Sequence, residues 1–273
     1  MTARKSLASG WLLWLAGLAA SMPAIAPAQE FRVDTELFVN QEKAPALEML
    51  TIFEGGQIYD FQLTEPRETT IFDLQRGRIT LLDESRQVKA TITTQELLDF
   101  CLALETHAAQ EKDRLFAFCA APQFETTDKP MERNGQALTE LRLSAKPLIY
   151  VAEGLRPQKP ECVKAYRQFA DWCARLNATR GNLPAGARLV LNQELAEREM
   201  LPLEITRTIP AGGPLGKKKL ELRSEHRVNW ALAGQDRKKI ELAGNMLATF
   251  QLISFDEYRG ASTKPAAAKS ASR

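Results

Sequence analysis

The stretch from Leu50 to Ile92 constrains the fold more than any other part of this chain. It consists of short runs of β-branched and aromatic residues (TIF, QIYDFQL, TTIFDL, RITLLD, QVKATIT) separated by turn residues at close, regular spacing. That pattern predicts an antiparallel meander of roughly four or five strands. The breaks have a physical cause. Gly55-Gly56 and Gly77 supply positive φ in tight turns, and Asp83-Glu84-Ser85 offers side-chain oxygens to turn amides. Pro66 cannot donate to a ladder and belongs in a connection or on an edge.

Side chains alternate across a strand, so residues two apart share a face. Tyr59, Phe61 and Leu63 fall on one face of their run, with Ile58, Asp60 and Gln62 on the other. Thr70, Phe72 and Leu74 align next, then Ile79 and Leu81, then Val88, Ala90 and Ile92. One greasier and one polar face per run predicts a sheet packed on one side only. Asp60, Asp73 and Asp83 are then solvent-face and turn residues rather than an acid–base or metal cluster.

The N-terminus sets the compartment. Arg4 and Lys5 precede an apolar run from Trp11 to Ala20, and Ala26-Pro27-Ala28 offers small residues where a signal peptidase reads them. This predicts a secretory signal peptide over residues 1–28, with an uncleaved anchor as the alternative. The run is shorter than the ~20 apolar residues of a membrane span. The mature chain is expected to be exported, periplasmic or secreted, and soluble. Residues 29–260 suit a single α+β domain, and 261–273, rich in Ala, Lys and Ser, reads as a disordered tail. Net charge is +2, with acids and bases interspersed, which argues against nucleic acid as a partner. The one basic run, Lys217 to Lys219, follows a Pro/Gly stretch and reads as a hairpin loop.

Export makes disulfides chemically possible for Cys101, Cys119, Cys162 and Cys173. Cys162 and Cys173 share one predicted helix, where they lie about 16 Å apart, too far to bridge. Either bridges join the Cys101/Cys119 region to that helix, or all four are buried free thiols. Neither CxxC spacing nor a Cys/His cluster is present, so no zinc, and no cofactor of any kind, is expected.

Elsewhere, Phe31 to Val39 reads as a first strand. Thr93-Thr-Gln-Glu96 has the form of a capping box opening a helix, with Leu97, Leu98, Cys101, Leu102 and Leu104 as its stripe. His107 falls near that helix's C-terminal end, where the helix dipole favours a cation. Asn134-Gly135 marks a hairpin turn. A helix from Pro160 to Gly181 buries Val163, Tyr166, Phe169, Ala170, Cys173 and Leu176, and Ala187 to Met200 is read as another helix. Leu201 to Ile209 pairs with a strand from Lys219 to about Leu232. There Ser224 and His226 interrupt an apolar face that includes Trp230, and a strand end or bulge turning them to solvent is the favoured reading. Asp236 caps a last helix carrying Ile240, Leu242, Leu247 and Phe250.

The YDF strand (Tyr59 to Phe61), the ITLLD strand (Ile79 to Asp83), the intervening helices and the LPLEIT strand (Leu201 to Thr206) leading into a hairpin resemble the LolA-like outer-membrane lipoprotein carrier superfamily over Phe31 to Leu232. The HRVNWAL, DRKKI and SFDEY segments of the C-terminal third are also similar to uncharacterised exported bacterial proteins of planctomycete type. The first resemblance implies a curved antiparallel sheet, an incomplete β-barrel, packed around several helices and holding lipid or acyl chains in its concavity. Phe61, Phe72, Leu81, Val88, Trp230 and His226 are the ligand-wall candidates, with lipid or lipoprotein as partner. Two other functions compete: a non-catalytic envelope interaction protein and an exported hydrolase. The latter lacks support, since G-x-S-x-G, H-E-x-x-H and P-loop patterns are missing and the only imidazoles are His107 and His226. No residue is assigned a catalytic or metal-binding role.

Overall fold

The computed structural model describes residues 30–211 and 219–262. Residues 1–29, which include the segment read as a signal peptide, 212–218, within the stretch read as a hairpin loop, and 263–273 of the segment read as a tail lie outside them.

Strand β1 (Phe31–Val39) leads into the meander β2 (Leu47–Glu54), β3 (Gln57–Gln62), β4 (Glu68–Asp73), β5 (Arg78–Asp83) and β6 (Val88–Thr93). Helices α1 (Thr94–Ala108) and α2 (Arg114–Ala120) follow, then β7 (Glu125–Arg133), β8 (Gln136–Ser144) and β9 (Ile149–Leu155). Helices α3 (Glu161–Ala178) and α4 (Gly186–Glu197) precede the hairpin β10 (Leu201–Ile209) and β11 (Leu220–Asn229). The described chain ends with α5 (Gly234–Thr249), β12 (Gln251–Leu252) and α6 (Phe255–Ser262).

The twelve strands of the described residues form one sheet in the order β12-β6-β5-β4-β3-β2-β1-β11-β10-β9-β8-β7. It is an open sheet, with β12 and β7 at its edges. Its neighbours are antiparallel except β12, which runs parallel to β6 through two residue pairs, so the sheet is mixed rather than purely antiparallel. β1 lies at the centre because β11, from the far end of the sequence, pairs along its whole length and places Thr35 opposite His226. The fold is α+β.

The capping box forms as predicted. The Thr93 hydroxyl accepts from the Glu96 amide at 3.1 Å, and the Glu96 carboxylate accepts from the Thr93 amide at 2.8 Å. α1 to α4 cover one face of the sheet, hereafter the inner face. Phe31, Val33, Phe53, Phe72, Ile79, Leu81 and Ile92 meet Leu97 of α1 and Val163, Tyr166, Phe169 and Ala170 of α3 there. A second cluster joins Leu141, Leu143, Tyr150 and Ile205 to Leu115 of α2 and Leu191 and Leu195 of α4. Each Val, Leu, Ile or Phe among them contributes about 1.5–3 kcal/mol on full burial.

The expectation of a sheet packed on one side fails over β2 to β5. Leu50, Ile52, Phe61, Ile71 and Leu82 point to the outer face, where α5 covers them with Ala243, Ile240, Met246 and Phe250. The signal is present in the sequence as adjacent apolar pairs, Ile52-Phe53, Ile71-Phe72 and Leu81-Leu82. Alternation puts the members of such a pair on opposite faces, so both faces must be buried. Beyond β1 the outer face carries charges instead. Lys129 and Glu140, and Arg227 and Glu36, pair across neighbouring strands, and Arg133 of β7 reaches Glu153 of β9 past β8.

The C-terminal third departs from expectation in three smaller ways. Asp236 is the third residue of its capping turn, its carboxylate accepting from the Ala233 amide at 2.7 Å, rather than the cap itself. Leu242 and Leu247 of that helix are exposed rather than buried. α6 continues through Ser262, into the segment expected to be tail.

Candidate functional site

The six wall candidates from the sequence do not line one wall. Phe72 and Leu81 lie in the inner core, with Val88 packed against it, in the cluster that also holds α3. Phe61 is on the opposite face, beneath α5. Trp230 follows the end of β11, 44 % exposed, its ring 6.3 Å from that of Phe31. His226 is buried on the inner face.

Ser224 and His226 are thus not turned to solvent; their strand stays regular and they face α3. His226 Nδ1 lies 3.0 Å from Thr35 Oγ1, Nε2 lies 3.0 Å from Ser224 Oγ, and the ring meets Tyr166 edge-on at 6.3 Å. Burial, with Arg188 adding to it, lowers the imidazole to about 3, so the ring is neutral. Two hydroxyls satisfy both ring nitrogens, and no carboxylate orients the ring among these contacts. It is a buried core histidine with both ring nitrogens satisfied.

Asp60 overturns a second expectation. It is buried on the inner face, and Thr51 Oγ1 donates to its Oδ1 at 2.7 Å. Desolvation pushes the carboxyl up to about 7, against the opposing hydrogen bond from Thr51 and the charge of Arg180. The polar face of β3, expected to meet solvent, lies under α3 instead. Asp73 and Asp83 are turn residues as expected, each accepting from a following arginine's amide.

All four cysteines are free thiols. Cys101 lies 3.9 Å from the Arg175 carbonyl oxygen, and Cys119 is buried between α2 and α4. Desolvation pushes Cys119 and Cys173 up to about 12, which leaves neither a nucleophile near neutral pH. Among the described residues no group of three or more His, Cys, Asp or Glu is arranged to hold a metal ion.

The helices fill the inner face closely. Between α3 and α4, the void bounded by Val163, Tyr166, Asn192, Leu195 and Met200 amounts to about 10 Å³, room for about one water. A larger opening lies on the other side of the sheet. A cleft of about 260 Å³ separates α5 from the end of β3, the β3–β4 connection and the β5–β6 turn. Phe61, Leu63, Leu242 and Met246 give it apolar walls, while Gln62, Arg67, Glu84 and Lys239 supply polar groups. Leu63 and Leu242 are exposed there. The Lys239 ammonium lies 5.7 Å from the centre of the Phe61 ring, within cation–π range. Apolar walls with a few charged groups are the usual make-up of a small-molecule site. Only Phe61 of this set is a candidate on sequence grounds; the rest converge because α5 crosses the outer face.

No helix among the described residues is long and apolar enough to cross a membrane. No family model matches the sequence, and no curated protein matches it. Two solved structures of PNGF-II, in C2 and P21 space groups, align at TM-scores of 0.37 and 0.36 with 10 % identity in each case. The alignments cover 86 % and 85 % of this chain but only 32 % and 33 % of PNGF-II, about a third of that protein's length.

Proposed function

We propose that this is an exported, non-catalytic binding protein that takes the acyl chain of a lipid or a similar apolar ligand. The observation that carries the reading is the cleft beneath α5, with Phe61, Leu63, Leu242 and Met246 as walls and Arg67 and Lys239 among its polar groups. An acyl chain gains about 0.8 kcal/mol for each methylene removed from water, and the two cations suit an anionic end. Export rests on the predicted signal peptide. The open sheet with helices α1 to α4 on one face supports the LolA-like, incomplete-barrel reading of the architecture. The ligand site, however, belongs on the outer face, because helices occupy the inner one.

Isothermal titration of the mature protein with sodium dodecanoate below its micelle concentration tests this. Binding is expected, together with its loss in Leu242→Trp, which fills the cleft from an exposed helix position. Absence of heat with the parent protein, or equal affinity in the Trp variant, overturns the proposal.

A further inference from the structure

The cleft's second wall, α5, is held differently at its two ends. Near its N-terminus, Arg32 donates to the buried Asp236 at 2.7 Å, and Arg237 pairs with Glu30 at 2.8 Å and with Glu54. In its C-terminal half, where Leu242 and Met246 line the cleft, the only side-chain hydrogen bond to the sheet among the described residues is from Lys89 Nζ to the Leu247 carbonyl oxygen. That half otherwise relies on apolar contacts and on the chain that follows it.

This following chain wraps around the edge of the sheet. β12 runs beside β6 through the Gln251 amide to the Gln87 carbonyl oxygen at 3.1 Å and the Ile253 amide to the Lys89 carbonyl oxygen at 2.9 Å. α6 then turns onto the inner face, where Tyr258 is buried in the main core. The Tyr258 hydroxyl donates to Glu68 at 2.7 Å, and Arg180 pairs with the other oxygen of that carboxylate. The Arg86 guanidinium lies 4.8 Å from the Tyr258 ring centre, and its Nη2 donates to the Tyr258 carbonyl oxygen at 3.4 Å. This contact meets the cleft within one peptide unit: Glu68 faces Tyr258 and Arg67, the preceding residue, lines the cleft. Charged hydrogen bonds out of water are the strong ones.

We propose that the β12–α6 segment is a strap that sets the opening of the cleft, with the Tyr258–Glu68–Arg180 contact as its latch. The ion-paired N-terminal end of α5 is the hinge. Releasing the latch frees the C-terminal half of α5 to move away from Phe61 and Leu63 and admits a chain longer than the closed cleft accommodates. The proposal rests on the cleft being the ligand site and assigns the control of its width.

Tyr258→Phe keeps the ring in the core and removes only the donor to Glu68. Hydrogen exchange read by mass spectrometry should show faster exchange over residues 242–258, by about tenfold or more, the factor carried by one hydrogen bond to a charged group, with residues 234–240 unchanged. Stopped-flow uptake of dodecanoate should accelerate in parallel. Unchanged exchange over 242–258 overturns the strap whatever the binding data show. Equal acceleration along all of α5 overturns the hinge. Faster exchange without dodecanoate binding by either protein upholds the strap and overturns the ligand reading. If Tyr258→Phe misfolds, Glu68→Gln, which removes the charge that the Tyr258 hydroxyl and Arg180 both meet, is measured in the same way, and the same outcomes decide.

Discussion

Asp60 gives the sharpest test of the packing beneath α3. Burial raises its carboxyl from 3.8 to about 7, which penalises the ionised folded form by about 4 kcal/mol at about 1.4 kcal/mol per tenfold change in proton affinity. Below pH 3.8 the folded and unfolded chains both carry the protonated acid, and its titration costs nothing. Between pH 3.8 and about 7 the unfolded chain ionises while the folded one keeps its proton, so stability falls as pH rises. Above about pH 7 both forms are ionised and the loss is complete. Asp60→Asn removes the titration, keeps the shape and leaves an oxygen to accept from Thr51. Its new amide donors add an offset that does not depend on pH. Urea unfolding of both proteins from about pH 4 to about pH 8 gives the difference in stability, in which all other titrating groups cancel. That difference should shift toward the asparagine variant by about 4 kcal/mol as pH rises from about 4 to about 7, and then level off. A flat difference, or one that moves toward the parent protein, refutes the placement of Asp60 in a desolvated site.

Two further outcomes concern backbone approach and an orphaned hydroxyl. Gly186→Ala should destabilise by about 2 kcal/mol or more, because a Cβ there meets the Cys119 carbonyl oxygen at 2.6 Å and the Ala120 carbonyl oxygen at 3.1 Å, backbone atoms that move only with α2; a thermal melt measures it. Thr69→Val should stabilise by about 1 kcal/mol or more, because the Thr69 hydroxyl is buried without a hydrogen-bond partner among the described residues and an isosteric apolar group removes its desolvation cost; the same melt reads the opposite sign.

Local signals survive into the structure where they are complete in the sequence. The Thr93–Glu96 box opens α1, Asn134-Gly135 turns β7 into β8 with both residues at positive φ, and Gly181 at φ 77° follows α3. The Phe31–Val39 and Leu201–Ile209 strands have the expected bounds. Errors arise where a residue's neighbour comes from far along the chain. Ser224 and His226 look misplaced on an apolar strand until β11 pairs with β1 and brings Thr35 to the imidazole. Asp60 reads as solvent-facing until α3 covers it. The wall candidates share size and apolarity, which do not say on which side of a two-faced sheet a ligand sits.

The sequence by itself determined most of the strands, helices and turns, with β12, α6 and the cap of α5 as exceptions, because these depend on alternation, helical periodicity and the φ preferences of a few residues, all of which act within a turn or two. Tertiary structure alone decided that α1 to α4 take one face and α5 the other, that β12 joins β6, and that Phe61, Arg67 and Lys239 meet around one cleft. Those arrangements follow from which apolar surfaces find one another once the whole chain has collapsed. Burial is non-directional, so no local pattern encodes its partner.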